Sequence, residues 1–269
     1  MTTAAFRKLI WDFYTSHGRH DLPWRTTTDP YRILVSEIML QQTQVERVRA
    51  YYLSWMKQYP TVRSLARASL AEVLVSWQGL GYNRRAKMLH EAAKVVVQEH
   101  KGKMPETVEE LVQLPGVGPY TARAVAAFAH NTDVVFIETN LRTVVVHHYF
   151  AGKERVSDAE ILEVLANVFP KGKSRQWYAA LMDYGSHLKR SGVKLNARST
   201  GYAKQKTFAG SDREARGAIL KELAHGPATK ARLIGLLGDD RKDQTTTQLT
   251  KLLAEGMVQK QGRVYELPH

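Results

Sequence analysis

The stretch Leu114-Pro115-Gly116-Val117-Gly118-Pro119-Tyr120-Thr121-Ala122 joins two helical patterns and carries two glycines one residue apart. Glycines so placed let the backbone turn tightly and come close to a ligand. Pro119 suits the first turn of a helix, where its missing N–H would lack a partner anyway. The amides of that first turn and the positive end of the helix dipole then face the glycine loop. This makes an anion site suited to a DNA phosphate. Gly116, Val117, Gly118 and Thr121 are the expected contacts. Such a site reads no bases, so it positions a duplex without sequence preference. Ordinary helix–turn–helix connections also use a GxG. Here Val108, Leu111 and Val112 before it, and Ala124, Val125, Ala127 and Phe128 after it, make the pattern more specific.

Helical periodicity dominates on both sides of this hairpin. Residues 30–58 read as one long helix or two, starting after Asp29-Pro30, a cap followed by a first-turn residue. Further helices are expected over 61–76, 84–100, 106–113, 119–130, 138–150, 157–168 and 173–188, with Gly79-Leu80-Gly81 as a break. Residues 186–216 hold eight Lys/Arg against two Asp/Glu, a net of +6 in about a ninth of the chain. This stretch reads as an extended basic loop, or as a merely flexible linker. Helices at 213–224, 228–237 and 243–256, then an alternating segment around Gly262, give the outline of a winged helix-turn-helix. A small helical cap without DNA contact is the alternative.

The chain has 269 residues, 43% hydrophobic and 24% charged, which is ordinary globular composition with room for one large domain or two modest ones. Lys and Arg number 39 against 26 Asp and Glu, a net charge of +13. The excess points to a polyanion such as nucleic acid or an anionic membrane surface, the alternative being a solvated basic surface. With no cysteine, disulfides, thiolate zinc sites and cysteine-held iron–sulfur clusters are excluded. The N-terminus lacks a signal-peptide pattern, and no stretch approaches the roughly 20 apolar residues of a membrane span. A soluble, cytoplasmic protein is expected, associated with the nucleoid if bacterial.

Four segments together carry a family resemblance: LPWR (22–25), SEIMLQQTQV (36–45), GLGYNRRA (79–86) and LPGVGPYTA (114–122). They resemble the adenine DNA glycosylases of the MutY group, in the helix-hairpin-helix–GPD superfamily with endonuclease III. The likeness runs from about Leu22 to about Gly185. It implies an all-α, two-lobed helix-hairpin-helix DNA glycosylase fold with the lesion pocket in the cleft between the lobes. One lobe would be a six-helix barrel over 23–134, with the hairpin at 106–130. The other would combine 1–22 and 135–210. A small winged-helix-like domain would occupy 211–269. The implied partner is double-stranded DNA holding a mispaired or damaged base. The chain would act as a monomer without a membrane.

The family cleaves the bond between a base and deoxyribose C1′. The base leaves poorly and the sugar gains positive charge, so an acid on the base and an anion near the sugar are needed. Glu37 is the single charge in Ile33-Leu34-Val35-Ser36-Glu37-Ile38-Met39-Leu40. A carboxyl on so apolar a helix should lose hydration and keep its proton near neutral pH. The resemblance assigns it to protonating adenine at N7 and handling the attacking water. A surface-facing Glu is the alternative. At the second carboxylate the family usually has Asp, whereas this chain reads Ile137-Glu138-Thr139-Asn140. Glu138 would stabilise the cationic sugar, with Asn140 as polar partner. One extra methylene displaces a group by about 1 Å, and such shifts cost on the order of 100-fold. A helix cap, a reshaped pocket or a different substrate are the alternatives at Glu138.

Tyr120 stands where lyase-active relatives carry a Schiff-base Lys. A phenol forms no Schiff base, so a monofunctional glycosylase is expected. Gln42 and Tyr82 match positions that wedge into the stack when the target base is flipped. Trp24 and Arg25 match the base pocket, or simply pack the lobes. Arg84, Arg85 and Lys87 are expected at phosphates.

Most of the family holds an iron–sulfur cluster on four cysteines after the segment matching Leu181–Gly185. This chain has none, so it is a clusterless member needing no metal cofactor, with room for a monovalent cation at the hairpin. The basic loop 186–210, with Lys189, Arg190, Lys204 and Lys206, is expected to contact DNA in the cluster's place. Many members also carry a C-terminal reader of 8-oxoguanine, which the short C-terminal unit does not resemble. Adenine opposite 8-oxoguanine or guanine is the leading substrate. Thymine or uracil opposite guanine, or lesion binding without catalysis, are the alternatives.

Overall fold

The computed structural model describes residues 1–201 and 207–269. Its first helices are α1 (Thr3–His17), α2 (Pro30–Leu40), α3 (Val45–Gln58), α4 (Val62–Arg67), α5 (Leu70–Ser76) and α6 (Arg84–Gln98). The hairpin joins α7 (Val108–Leu111) to α8 (Pro119–His130), and α9 (Thr139–Tyr149), α10 (Asp158–Val168) and α11 (Ser174–Arg190) follow. The C-terminal segment runs α12 (Asp212–Leu223), β1 (Ala228–Thr229), α13 (Lys230–Ile234), α14 (Lys242–Ala254), β2 (Gln259–Gln261) and β3 (Val264–Glu266). Its strands form one antiparallel sheet in the order β1-β3-β2. The expected hairpin gains a third strand, and the result is a winged-helix outline.

Local chemistry explains the boundaries. Asp29 caps α2, its carboxylate accepting from the amides of Tyr31 and Arg32. Residues 30–58 form two helices because Gln42 adopts φ 59°, which no helix accommodates. Reciprocal Ser/Thr caps start α4, α5, α7 and α10.

By contacts the chain divides into two compact units. The first is Met1–Glu37, Pro105–Gln113 and Val117–Lys204; the second is Ile38–Met104, Leu114–Gly116 and Gln205–His269. This division differs from the expected lobe boundaries. The core of the first unit gathers Phe6, Ile10, Ala124, Ala127, Leu141, Val144 and Trp177, so α8 shares a core with α1, α9 and α11. In the second unit the C-terminal segment is tied to residues 38–104. The Lys87 ammonium donates to the Glu255 carbonyl at 2.6 Å, and the Ala71 amide to the Pro268 carbonyl at 3.0 Å.

Among its described residues, the basic stretch is not one extended loop. Residues 186–190 finish α11, and 196–198 form a short 3-10 turn. The amide of Val156 donates to the Arg198 carbonyl and that of Thr200 to the Val156 carbonyl, which pins the segment along α10. Arg142 adds an ion pair to Asp158 and a hydrogen bond to Ser199. Lys204 and Lys206 lie outside the described residues. Among the described residues, no helix is long and apolar enough to cross a membrane.

Candidate active site

Glu37 sits on α2 with Ile33, Leu34, Val35, Ile38 and Met39 buried around it, and is itself only 7% exposed. The Tyr120 hydroxyl, from the first turn of α8, donates to its Oε2 at 3.1 Å. Burial pushes the Glu37 carboxyl up to about 7. The hydrogen bond from Tyr120 pulls it down, the charge of Glu138 adds to the rise, and Arg25 opposes it. Burial, with the two nearby carboxylates, drives Tyr120 well above an ordinary phenol, so it stays a neutral donor. Its ring packs edge-on against Phe136, which stacks on Tyr178. The proton-rich carboxyl thus rests on a rigid aromatic column.

Glu138 is the N-cap of α9. Its Oε1 accepts from the amides of Asn140 and Leu141 at 2.8 and 2.9 Å, and its Oε2 from the Asn140 side-chain amide and the Thr139 hydroxyl at 3.2 Å. Asn140 is therefore both backbone and side-chain partner of Glu138. Lys189, near the end of α11, donates to the Thr139 hydroxyl at 3.1 Å. Burial lowers its ammonium and Glu138 counters that pull. Lys189 therefore belongs to this carboxylate's surroundings, while Arg190 is exposed.

Arg25 closes on Asp183, 2% exposed, in a two-pronged ion pair at 2.5 and 3.0 Å, and Arg19 joins them at 2.6 Å. Between the base-pocket and packing readings, Arg25 takes the packing contact. Its guanidinium neutralises a buried carboxylate of α11, where a lone charge would be costly. Trp24 is buried beside it in sequence. Sequence reasoning missed Asp183, because its partners lie more than 150 residues away.

In the hairpin, Gly116 has φ 75°, and a Cβ there would stand 2.5 Å from Cβ of Met88, so both conformation and space demand glycine. Gly118 is the N-cap of α8 with Pro119 in the first turn and no side-chain cap hydrogen bond. Val117 and Thr121 are buried.

In the second unit, Gln42 and Tyr82 both hold left-handed backbones, φ 59° and 50°. Non-glycine residues persist there only where their surroundings impose it. Arg85 is the agent. Its guanidinium donates to the carbonyls of Ile38 and Met39 at the end of α2, to the Gln41 carbonyl and Thr43 hydroxyl just after it, and to the Leu80 and Gly81 carbonyls of the second loop. Burial brings Arg85 down to about 10. Protein oxygens take the Arg85 guanidinium where a phosphate is expected, and Lys87 gives one donor to the Glu255 carbonyl. Arg84 stays exposed and lines a cavity of about 380 Å³ with Gln41, Tyr82, Met88 and Arg213. Paired glycines flanking Leu80 were the sequence signal for this strained loop.

Comparison with known proteins places this geometry. The model of the HhH-GPD superfamily base excision DNA repair protein matches residues 35–171. The adenine DNA glycosylase of Mycolicibacterium smegmatis is 37% identical over 264 residues, covering 90% of this chain and 89% of that protein. A thermostable thymine-DNA glycosylase superposes with TM-score 0.62 at 27% identity, over 73% of this chain and 94% of that one. Endonuclease III, solved as a trapped covalent intermediate with DNA, shares the fold with TM-score 0.59 at 18% identity, over 70% of this chain and 87% of that one. The chain belongs to the HhH-GPD superfamily of base excision DNA repair proteins and is a DNA glycosylase of that superfamily. It holds no cysteine, so the cysteine-held cluster that the MutY resemblance would bring has no ligands here.

Proposed function

We propose that the chain is a monofunctional glycosylase that flips a mispaired adenine out of duplex DNA, opposite 8-oxoguanine or guanine, and hydrolyses its N-glycosidic bond. The observation that carries this is the Glu37 carboxyl, buried, hydrogen-bonded by Tyr120 and within the field of Glu138, with burial pushing it up to about 7. The name of the M. smegmatis relative supplies adenine as the base.

The protonated Glu37 gives its proton to adenine N7 as the C1′–N9 bond breaks, and the departing base keeps the bonding electron pair. Positive charge builds on the sugar and faces the Glu138 carboxylate, already oriented by four donors. The Glu37 carboxylate then takes a proton from the water that adds to C1′, and the acid is restored. Tyr120 holds Glu37 and offers no amine, so the sugar–phosphate chain stays intact. Gln42 and Tyr82 fill the gap left by the flipped nucleotide. The hairpin amides, Arg84 and Arg190 hold phosphates. The chemistry draws on carboxyls and water from the cytoplasm or nucleoid.

The test uses duplexes with adenine opposite 8-oxoguanine, adenine opposite guanine, thymine opposite guanine and uracil opposite guanine, each then treated with hot alkali. Adenine is released and strands break only after alkali. Release of thymine alone would move the assignment to the class of the structural neighbour, and breakage before alkali would refute monofunctional chemistry.

A further inference from the structure

We propose that Arg213, on the first helix of the C-terminal segment, is a positioning residue that presets the Tyr82 ring for insertion into the duplex. The proposal rests on the wedge role given to Tyr82 above.

Tyr82 follows Gly79 and Gly81, which have φ 90° and 73°, and itself has φ 50°. A loop with three left-handed residues has little stiffness of its own. Its backbone is held from one side: Arg85 and the Trp77 indole both donate to the Gly81 carbonyl, at 3.0 Å. Its side chain is held from the other. Arg213 Nη1 donates to the Tyr82 hydroxyl at 2.9 Å, and its guanidinium lies 5.1 Å from the ring centroid, with Arg85 at 5.4 Å.

Arg213 is itself anchored. Its Nη2 donates to the Thr207 carbonyl at 3.1 Å. One turn further on, Arg216 grips Glu255 through two hydrogen bonds, 3.0 and 2.6 Å, while the Glu255 carbonyl takes the Lys87 ammonium. The helix is thereby locked to α6 and α14, and the C-terminal segment acts as a brace for the wedge. Tyr82 and Arg213 both line the 380 Å³ cavity, so the pair borders open space. Fixing a ring before DNA arrives removes the ordering cost from the insertion step.

The test places 2-aminopurine at the target position opposite guanine, where its fluorescence rises on unstacking. Wild type, Arg213→Ala, Tyr82→Phe, Tyr82→Ala and the double variant Arg213→Ala/Tyr82→Ala are compared, with excision of adenine opposite guanine measured in parallel. Arg213→Ala lowers the flipped population about tenfold, the size of a cation–π contact and a hydrogen bond together. Tyr82→Phe, which deletes only the acceptor hydroxyl, lowers it about threefold. In the Tyr82→Ala background the loss of Arg213 has no further effect. An equal loss in that background would mean that Arg213 acts on DNA by itself, and a rise on Arg213→Ala would mean that it restrains the ring. Either result overturns the proposal, as does an unchanged signal in Tyr82→Phe should Arg213→Ala fail to fold. Wild type that flips without excising sinks the glycosylase reading alone; wild type that does not flip sinks both.

Discussion

Glu37 and Glu138 carry the same carboxyl and meet opposite surroundings. Glu37 lies in the apolar packing of α2, with one hydroxyl donor, and holds its proton near neutral pH. Glu138 sits at a helix start with four donors on its oxygens. Environment, not residue type, sets what each carboxyl can do. The pair shows how one unit of the chain equips itself with both from two glutamates more than a hundred positions apart.

The comparison breaks most visibly at Glu37. Replacing it by Gln removes the proton donor, and excision of adenine falls by about three to four orders of magnitude while affinity for non-cleavable duplex is kept. Single-turnover rates beside a binding titration check this. Glu138→Gln keeps acceptors for the cap but deletes the charge facing the sugar, and costs about 100-fold in the same assay. Near wild-type turnover there would reduce Glu138 to a helix cap.

Glu37 also makes a stability prediction of opposite sign. Its carboxyl is raised in the folded chain from 4.5 to about 7, so the native state binds more protons across that window and stability declines as pH rises through it. Glu37→Gln escapes the penalty. At pH 8 it is more stable than wild type by roughly 3 kcal/mol, and below pH 4.5 the two converge. Denaturant melts at the two pH values decide the point. The excision rate of wild type falls as pH rises through about 7, as the acid form disappears.

The smallest effects sharpen the coupling. Tyr120→Phe removes the hydrogen bond that favours the Glu37 anion, so the alkaline limb of the pH–rate profile moves up. Glu138→Gln removes a like charge and moves it down. Limbs that stay together in both variants would separate the two carboxyls.

Much of this was legible in the chain. The lone charge among Ile33–Leu40 points to a desolvated acid, and the register Glu138-Thr139-Asn140 leaves a cap open beside the catalytic reading. The hairpin glycines announced a tight turn, which the 2.5 Å approach toward Met88 makes obligatory. The cations are harder to place, for a physical reason. Arg85 and Lys87 look like phosphate ligands, and Arg25 like part of a base pocket, because nothing local reveals a buried carboxylate or a bare carbonyl waiting elsewhere. The basic stretch 186–216 looks like a loop for the same reason: the anchors of its described residues on Val156 and Asp158 are set by packing.

Periodicity, glycine spacing and caps, all fixed by neighbours within a few positions, determined the helices and the hairpin, while the family resemblance pointed to the two carboxyls. Which groups share a proton and which cation serves the fold depend on atoms brought together from distant segments. Tertiary structure alone decided that Tyr120 meets Glu37, that Asp183 takes Arg25, and that Arg213 reaches Tyr82. Desolvation and charge act through space, and sequence distance carries no measure of either.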